Sequence, residues 1–404
     1  MTLNDINNSI DTKLVPDTWE ITWPVSKSSI KVIGVGGGGC NSVNEMCRQN
    51  IKGVDFIICN TDTQSLRMCD VPTKIVLGTK AAGLGTGMDP ELGARSAEES
   101  IDKIREQLKG AEMVFITAGM GGGTGTGAAP VIARISKEME ILTVGVVTLP
   151  FRDEKGFLKR AIKGIKELQK HVDSLILIDN QKIYRLYGEM RFEDALHKVD
   201  VVLSTAIRSI TEIINTTGLM NVDFADVKRI MRNGGTAMLG IGTAEGEDRS
   251  SLAVEAAFHS PLLNDCDLKT SKGVIVNITA GMENGGLTTN EITQIADYVN
   301  NYTGEPEKFK RGLVVDEKMG NKVNVTIIAT GFNLNDLPQI DEDPEEESIV
   351  LTTADNNTQP ATPYIRPEGV PALILDGNTN IVDLEKQSAY KRRMALRRKK
   401  EESL

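Results

Sequence analysis

Seven consecutive residues, GGGTGTG at 121–127, constrain this chain more than any other feature of its sequence. They come just after the apolar run MVFIT (113–117) and lead into AAPVIARISKEME (128–140), whose apolar spacing is helical. A strand that passes into a helix through glycines exposes a series of peptide N–H groups. The hydroxyls of Thr124 and Thr126 and the positive end of the helix dipole add to them. Such a convergence of donors is built for an anion.

A second glycine loop, VIGVGGGGCN (32–41), follows the run IKVIGV (30–35) and contains G-x-G-x-x-G at Gly34, Gly36 and Gly39. Alone it fits a nicotinamide-dependent oxidoreductase equally well. That reading wants an acid at the end of the second strand to hold a ribose. The strand ends instead in CNTD, with Asn60 first and Asp62 two residues later. Two such loops on neighbouring strands suit a longer phosphate chain than one pyrophosphate. A third stretch, AAGLGTGMDPELG (81–93), carries Thr86 and is placed to close over a terminal phosphate. No G-x-x-x-x-G-K-[ST] occurs, which excludes a P-loop NTPase.

Around these loops, short β-branched runs alternate with helical stretches. IKVIGV, DFIIC (55–59), KIVL (74–77), MVFIT, LTVGVV (142–147) and SLILI (174–178) read as strands of a parallel sheet covered on both faces. PELGARSAEESIDKIREQLK (90–109) reads as one helix with a proline in its first turn. Residues 193–217 read as a long amphipathic helix, with Gly218 as its C-cap. A second domain over 219–332 shows strands at 236–242, 273–280 and 322–331, and its sheet is expected to be mixed or antiparallel. The fold class is α/β: a Rossmann-like parallel sheet domain joined by a long central helix to a smaller α+β domain.

With 46 Lys/Arg against 56 Asp/Glu, the net charge of −10 argues against nucleic acid as a partner. No apolar run reaches membrane-spanning length, and MTLNDINNSID lacks the features of a secretory signal. Five unpatterned cysteines (40, 47, 59, 69 and 266) and three histidines argue against a zinc site and point to a reducing cytoplasm. Residues 1–28, with Trp19 and Trp23, read as an N-terminal arm. An acidic linker over 333–379 (DEDPEEE at 341–347) precedes a basic tail at 380–404, whose eight Lys/Arg and four Asp/Glu give +4.

GVGGGGCNSVN (34–44), NTDTQSLR (60–67), TAGMGGGTGTGAAP (117–130), KHVDSLI (170–176), GLMNVDFADV (218–227) and HSPLL (259–263) occur in the order found in the tubulin/FtsZ family. Over about residues 30–332 the chain resembles FtsZ-like cell-division GTPases. The resemblance implies the tubulin/FtsZ fold, with a GTP-binding domain at 29–192, a central helix at 193–218 and an activation domain at 219–332. It implies that Gly37, Gly38, Gly39 and Cys40 line the phosphates, Asn41 the base and Asn60 the sugar-phosphate. Gly121, Gly122, Gly123, Thr124, Gly125 and Thr126, with Thr86, would hold the β- and γ-phosphates. Asp200 would read guanine, although spacing alone makes it a solvated acid.

Two positions depart from the family. Leu196 stands where an aromatic usually stacks on the base. In PFRDEKGFLKRA (150–161), Glu154 is the expected ribose contact, while Lys155, Lys159 and Arg160 are all candidates for the nucleotide-contacting cation. Catalysis is assigned by the resemblance to Asn221, Asp223 and Asp226; local chemistry alone reads Asp223 as an N-cap and Asp226 as a partner of the helix dipole. A helix of roughly 25 residues spans nearly 40 Å, so these acids are expected to serve the nucleotide of the next subunit in a head-to-tail filament. The implied cofactors are GTP/GDP and Mg²⁺. The implied partners are further copies of the chain, and membrane adaptors or anionic lipid through the tail, at the cytoplasmic mid-cell division site. A non-hydrolysing scaffold is the other alternative.

Overall fold

The computed structural model describes residues 29–334, apart from 79–82, 152–153, 183–188, 217, 261–262, 264–267 and 282–285. The N-terminal arm, the linker beyond 334, the basic tail and Cys266 lie outside the described residues. The chain divides into two compact units, Met1–Glu342 and Asp343–Leu404, and all described residues fall in the first.

Ten strands form one sheet in the order β3-β2-β1-β4-β5-β6-β7-β10-β8-β9. Strands β1 (Ile30–Val35), β2 (Asp55–Asn60), β3 (Thr73–Val76), β4 (Met113–Gly119), β5 (Leu142–Leu149) and β6 (Ser174–Asp179) are parallel throughout. All six residues of β1 are buried. Ile33 and Val35 pack into one hydrophobic cluster and Ile30 and Val32 into another. Alternate residues thus face opposite helical layers, which is why the strands read as unbroken apolar runs.

One layer holds α3 (Pro90–Glu98), α4 (Ile101–Leu108), α5 (Thr124–Glu138) and α6 (Lys155–Gln169). The other holds α1 (Gly36–Arg48), the short α2 (Thr63–Arg67) and the central helix α7 (Phe192–Asn215). On α7, Val199, Leu203, Ala206, Ile207, Ile210 and Ile213 pack on the sheet with Val144, Val146, Ile176 and Ile178. The helix expected over 90–109 is two helices. Ser100 turns the chain between them, because its hydroxyl donates to Ser96 O (3.0 Å) and accepts from Gly78 N (2.9 Å).

Beyond α7 come α8 (Phe224–Met231), β7 (Gly235–Ala244), α9 (Arg249–Phe258), β8 (Gly273–Ala280), α10 (Thr289–Thr303), β9 (Lys308–Val315) and β10 (Val323–Phe332). Their sheet is mixed, as expected. β10 runs antiparallel to β7 and β8, and β9 runs parallel to β8. It joins the first sheet through only three residue pairs, Ser174–Ile176 of β6 against Gly235–Ala237 of β7.

Candidate nucleotide site

The strand order reverses between β1 and β4, which lie side by side. A crevice at the carboxyl ends of such strands is the general ligand site of an open α/β sheet. β1 runs straight into α1, and β4 runs through Met120–Gly123 into α5. Neither helix has a side-chain cap or an acid in its first turn. Their leading N–H groups are therefore left for an outside acceptor.

The glycines divide into two kinds. At Gly36 (φ +72°) a Cβ would come 2.8 Å from Gly125 N, so the two loops touch backbone to backbone. A Cβ on Gly127 would fall on the Pro90 carbonyl of α3. At Gly37 and Gly122, by contrast, nothing lies within 4 Å of the Cβ position. Those two open faces are where anionic oxygens have room to approach.

The threonines also divide. Thr124 Oγ1 lies 2.7 Å from Thr61 Oγ1 and 3.5 Å from Thr86 Oγ1, a cluster of three hydroxyls at the loop. Thr126 Oγ1 accepts the Gly121 N–H at 2.8 Å and braces the loop itself. Arg160 Nε donates to Gly121 O at 2.9 Å, and its guanidinium sits 4.6 Å above the Phe157 ring. Of the three candidate cations, Arg160 is the one fastened to the GGGTGTG loop; Lys155 and Lys159 are exposed. Glu154 is the exposed residue preceding α6.

Beside the two loops lies a cleft of about 290 Å³, lined among others by Gly38, Asn41, Ser42, Gly119, Glu154, Phe157, Asn180 and Asp200. Asp200 is half-buried and its Oδ1 accepts the Ser42 hydroxyl at 2.6 Å. Burial pushes its carboxyl above the ordinary value, with Ser42 pulling the other way. Asn180 Oδ1 is buried with no hydrogen-bond partner. An orphaned carbonyl and a carboxylate lining one cleft are acceptors for N–H donors, which the Watson–Crick edge of guanine supplies as an adjacent pair. Sequence reasoning gives a role neither to Ser42, although it lies within GVGGGGCNSVN, nor to Asn180, because the partner of each is set by the fold. The side chain of Leu196 lies outside the described residues.

Two of the expected residues turn inward. Cys40 Sγ points at Gly34 O and Cys59 O, and burial pushes its thiol far up, so only its backbone is open to a ligand. Asn60 is buried, and its side chain accepts the Asp62 N–H at 3.3 Å. Asp62 in turn caps α2 through Gln64 and Ser65, which occupies the acid a dinucleotide site would have needed.

Asn221, Asp223 and Asp226 are not part of this cleft. From Asp200, α7 runs a further 15 residues to Asn215, or about 22 Å at 1.5 Å each. It ends at the opposite edge of the sheet, where Asn215 Nδ2 reaches Lys52 O ahead of β2. The three residues follow there. Asn221 Oδ1 accepts the Gly218 N–H at 2.6 Å. Asp223 and Asp226 form a reciprocal capping box on α8.

A family model described as the tubulin/FtsZ family GTPase domain matches residues 29–188, and one described as the FtsZ family C-terminal domain matches 235–333. The cell division protein FtsZ of Wigglesworthia glossinidia brevipalpis is 46% identical over 318 residues, 78% of this chain and 82% of that protein. FtsZ of Azotobacter vinelandii is 42% identical over 90% of this chain and 89% of its own length. The chain belongs to the tubulin/FtsZ family.

Solved structures agree with this fold. An FtsZ dimer from M. jannaschii superposes with a TM-score of 0.70 at 39% identity, covering 76% of this chain and 89% of the other. CetZ2 from Haloferax volcanii, at 22% identity and a TM-score of 0.65, shares the fold. A GTPase domain of this family implies guanine-nucleotide binding, and the crevice between β1 and β4 is the candidate site for it. Among the described residues no helix is long and apolar enough to cross a membrane, and no His/Cys/Asp/Glu cluster could hold a metal.

Proposed function

We propose that this chain is a cell-division GTPase that assembles head to tail, and that each active site is completed by the next subunit. The observation that carries this reading is the separation of parts. The nucleotide crevice lies at the carboxyl edge of the parallel sheet, whereas Asp223 and Asp226 lie beyond the far end of α7. Stacking one copy on the next brings the far edge of one against the crevice of the other. A contact between unlike faces that does not close on itself makes a filament. The FtsZ of M. jannaschii was solved as a dimer, which is in keeping with self-association.

In this reading residues 29–192 bind GTP, 219–332 activate it and 193–218 connect them. The N–H groups at the starts of α1 and α5 take the phosphates, and Asp200 with Asn180 takes the guanine edge. Asn41 and Glu154 flank the nucleoside, and Arg160 stiffens the phosphate loop through Gly121. From the neighbour, Asp223 and Asn221 orient the attacking water, and Asp226 holds the loop's geometry. Phosphoryl transfer rests chiefly on positioning and charge stabilisation, so a split site is chemically sufficient. Among the described residues there is no carboxylate cluster, so a divalent ion would be held as the nucleotide's companion, with Thr124 and Thr86 offering hydroxyls beside phosphate and water oxygens. Bound there, Mg²⁺ neutralises phosphate charge.

The basic tail, +4 over 380–404, lacks the Ile-Pro-Ala-Phe-like core of an adaptor peptide. It suits an anionic membrane surface or an adaptor on the cytoplasmic side of the division site. GTPase rate per molecule against protein concentration tests the shared site. The rate should rise with concentration, and constancy down to dilute monomer would remove the proposal.

A further inference from the structure

Strand β9 is the edge of the sheet and holds the segment 218–231 at three points. Met220 and Leu313 exchange backbone hydrogen bonds, at 3.2 and 2.9 Å. Lys308 Nζ donates to Arg229 O at 3.3 Å. Lys310 Nζ pairs with Asp226 Oδ2 at 2.5 Å. Alternate residues of a strand share a face, so the two lysines meet α8 near its two ends.

The two acids are not equivalent. Asp226 Oδ2 takes Lys310 and also the Asp223 N–H, at 3.4 Å. Asp223 accepts the Asp226 N–H on Oδ1 at 2.8 Å, and its other oxygen accepts nothing from the described residues. Asp223 is exposed, whereas the Lys310–Asp226 pair is half-buried. One acid is anchored and the other is open.

We propose that Lys310 is a positioning residue for the shared site: it pins Asp226 in the capping box so that the open oxygen of Asp223 is presented to the neighbouring subunit's nucleotide. This rests on the shared-site reading above. Asp223 caps α8 from just outside the helix, and the Lys310 ammonium ties Asp226, the other member of the capping box, to β9. Burial pushes the Asp226 carboxyl up, but Lys310, with the Asp223 peptide and side chain behind it, outweighs this and leaves it below its ordinary value. Among the described residues, the charged groups facing Asp226 are Lys310 and Asp223. Strand β8, packed behind α8, has no charged residue, and Lys228 of the same helix lies over the Phe224 ring.

Steady-state GTPase assays of the full chain at saturating protein concentration, across pH, test this. Lys310→Met should leave GTP affinity unchanged and lower kcat roughly three- to tenfold. The acid limb of its pH–rate profile should move to higher pH, because Asp226 protonates more easily without the cation. Lys310→Arg should restore both. Lys308→Met loses only the contact to the Arg229 carbonyl and should keep the wild-type limb. If the methionine variant does not fold, Lys310→Gln repeats the measurement with a donor but no charge. A Lys310→Met profile that overlays the wild type overturns the assignment. So does an equal displacement in Lys308→Met, which marks general loosening of β9. Failure of the shared site itself reads differently: wild-type turnover per molecule then ignores protein concentration.

Discussion

The Ser42 hydroxyl donates to Asp200 Oδ1 at 2.6 Å, tying the helix after the first glycine loop to the middle of the central helix. This bond holds a half-buried carboxylate at the mouth of the cleft and aims it. Asp200→Ala should weaken GTP binding by about 1.5–3 kcal/mol, the usual worth of hydrogen bonds to a charged group. Discrimination against ATP should fall with it. Ser42→Ala should lose less, about 1 kcal/mol. Competition binding with GTP and ATP measures both; unchanged selectivity in Asp200→Ala would assign guanine recognition elsewhere.

Asp223 carries two duties that one substitution separates. It is the N-cap of α8 through Asp226 N and the proposed water-orienting acid. Asn caps as well as Asp. Asp223→Asn should therefore keep wild-type stability and GTP binding while hydrolysis falls on the order of 100-fold or more. Asp223→Ala should show the same loss of turnover and in addition cost about 1 kcal/mol of stability. Thermal melts beside turnover assays decide; a fully active Asn variant would leave Asp223 as a cap alone.

Gly127→Ala addresses the phosphate loop from behind. The added methyl meets the Pro90 carbonyl, so α3 and α5 must part. Overpacking of this kind costs about 1–3 kcal/mol. Gly122→Ala, with open space around it, should fold normally and lose GTP affinity instead. Equal behaviour of the two in melting and binding experiments would contradict the division of the glycines.

Far from the nucleotide, Arg249 Nε meets Glu291 Oε1 at 2.7 Å, with the two side chains only 10% and 15% exposed. The Arg249 guanidinium, helped by Thr288, holds the Glu291 carboxyl down from the ordinary 4.5 to about 2. A depressed carboxylate adds stability that is complete above its unfolded value and is lost on acidification. The contribution should therefore disappear as pH falls from 4.5 towards about 2. Arg249→Met leaves Glu291 without its partner and should cost about 3–5 kcal/mol at neutral pH. Its stability should depend less on pH in that acid window, as melts between pH 2 and 7 will show.

Much of the fold is legible from period and punctuation. The six parallel strands, the central helix and the two glycine loops all carry local signatures, because a strand buried on both faces must be apolar and a backbone phosphate site must lack side chains. Strand β9 carries no such signature. KFKRGLVV is half polar, since as an edge strand it presents lysines to α8. The break between α3 and α4 is likewise silent, being made by Ser100 bonding to Gly78 across the layer.

The glycine pattern and the apolar spacing point, without coordinates, to a parallel sheet whose strands pass into helices through loops open to an anion. Such information is local: each loop and each strand face is written in adjacent or periodic residues. Only the folded molecule decided which side chains share the cleft. Ser42 and Asp200 are 158 positions apart, and although the family resemblance names Asp200, no local pattern shows that Ser42 bonds to it or that Asn180 lines the same cleft. The same holds for the pairing of Lys310 with Asp226. Long-range contacts follow from sheet order and helix packing, which no short window of sequence contains.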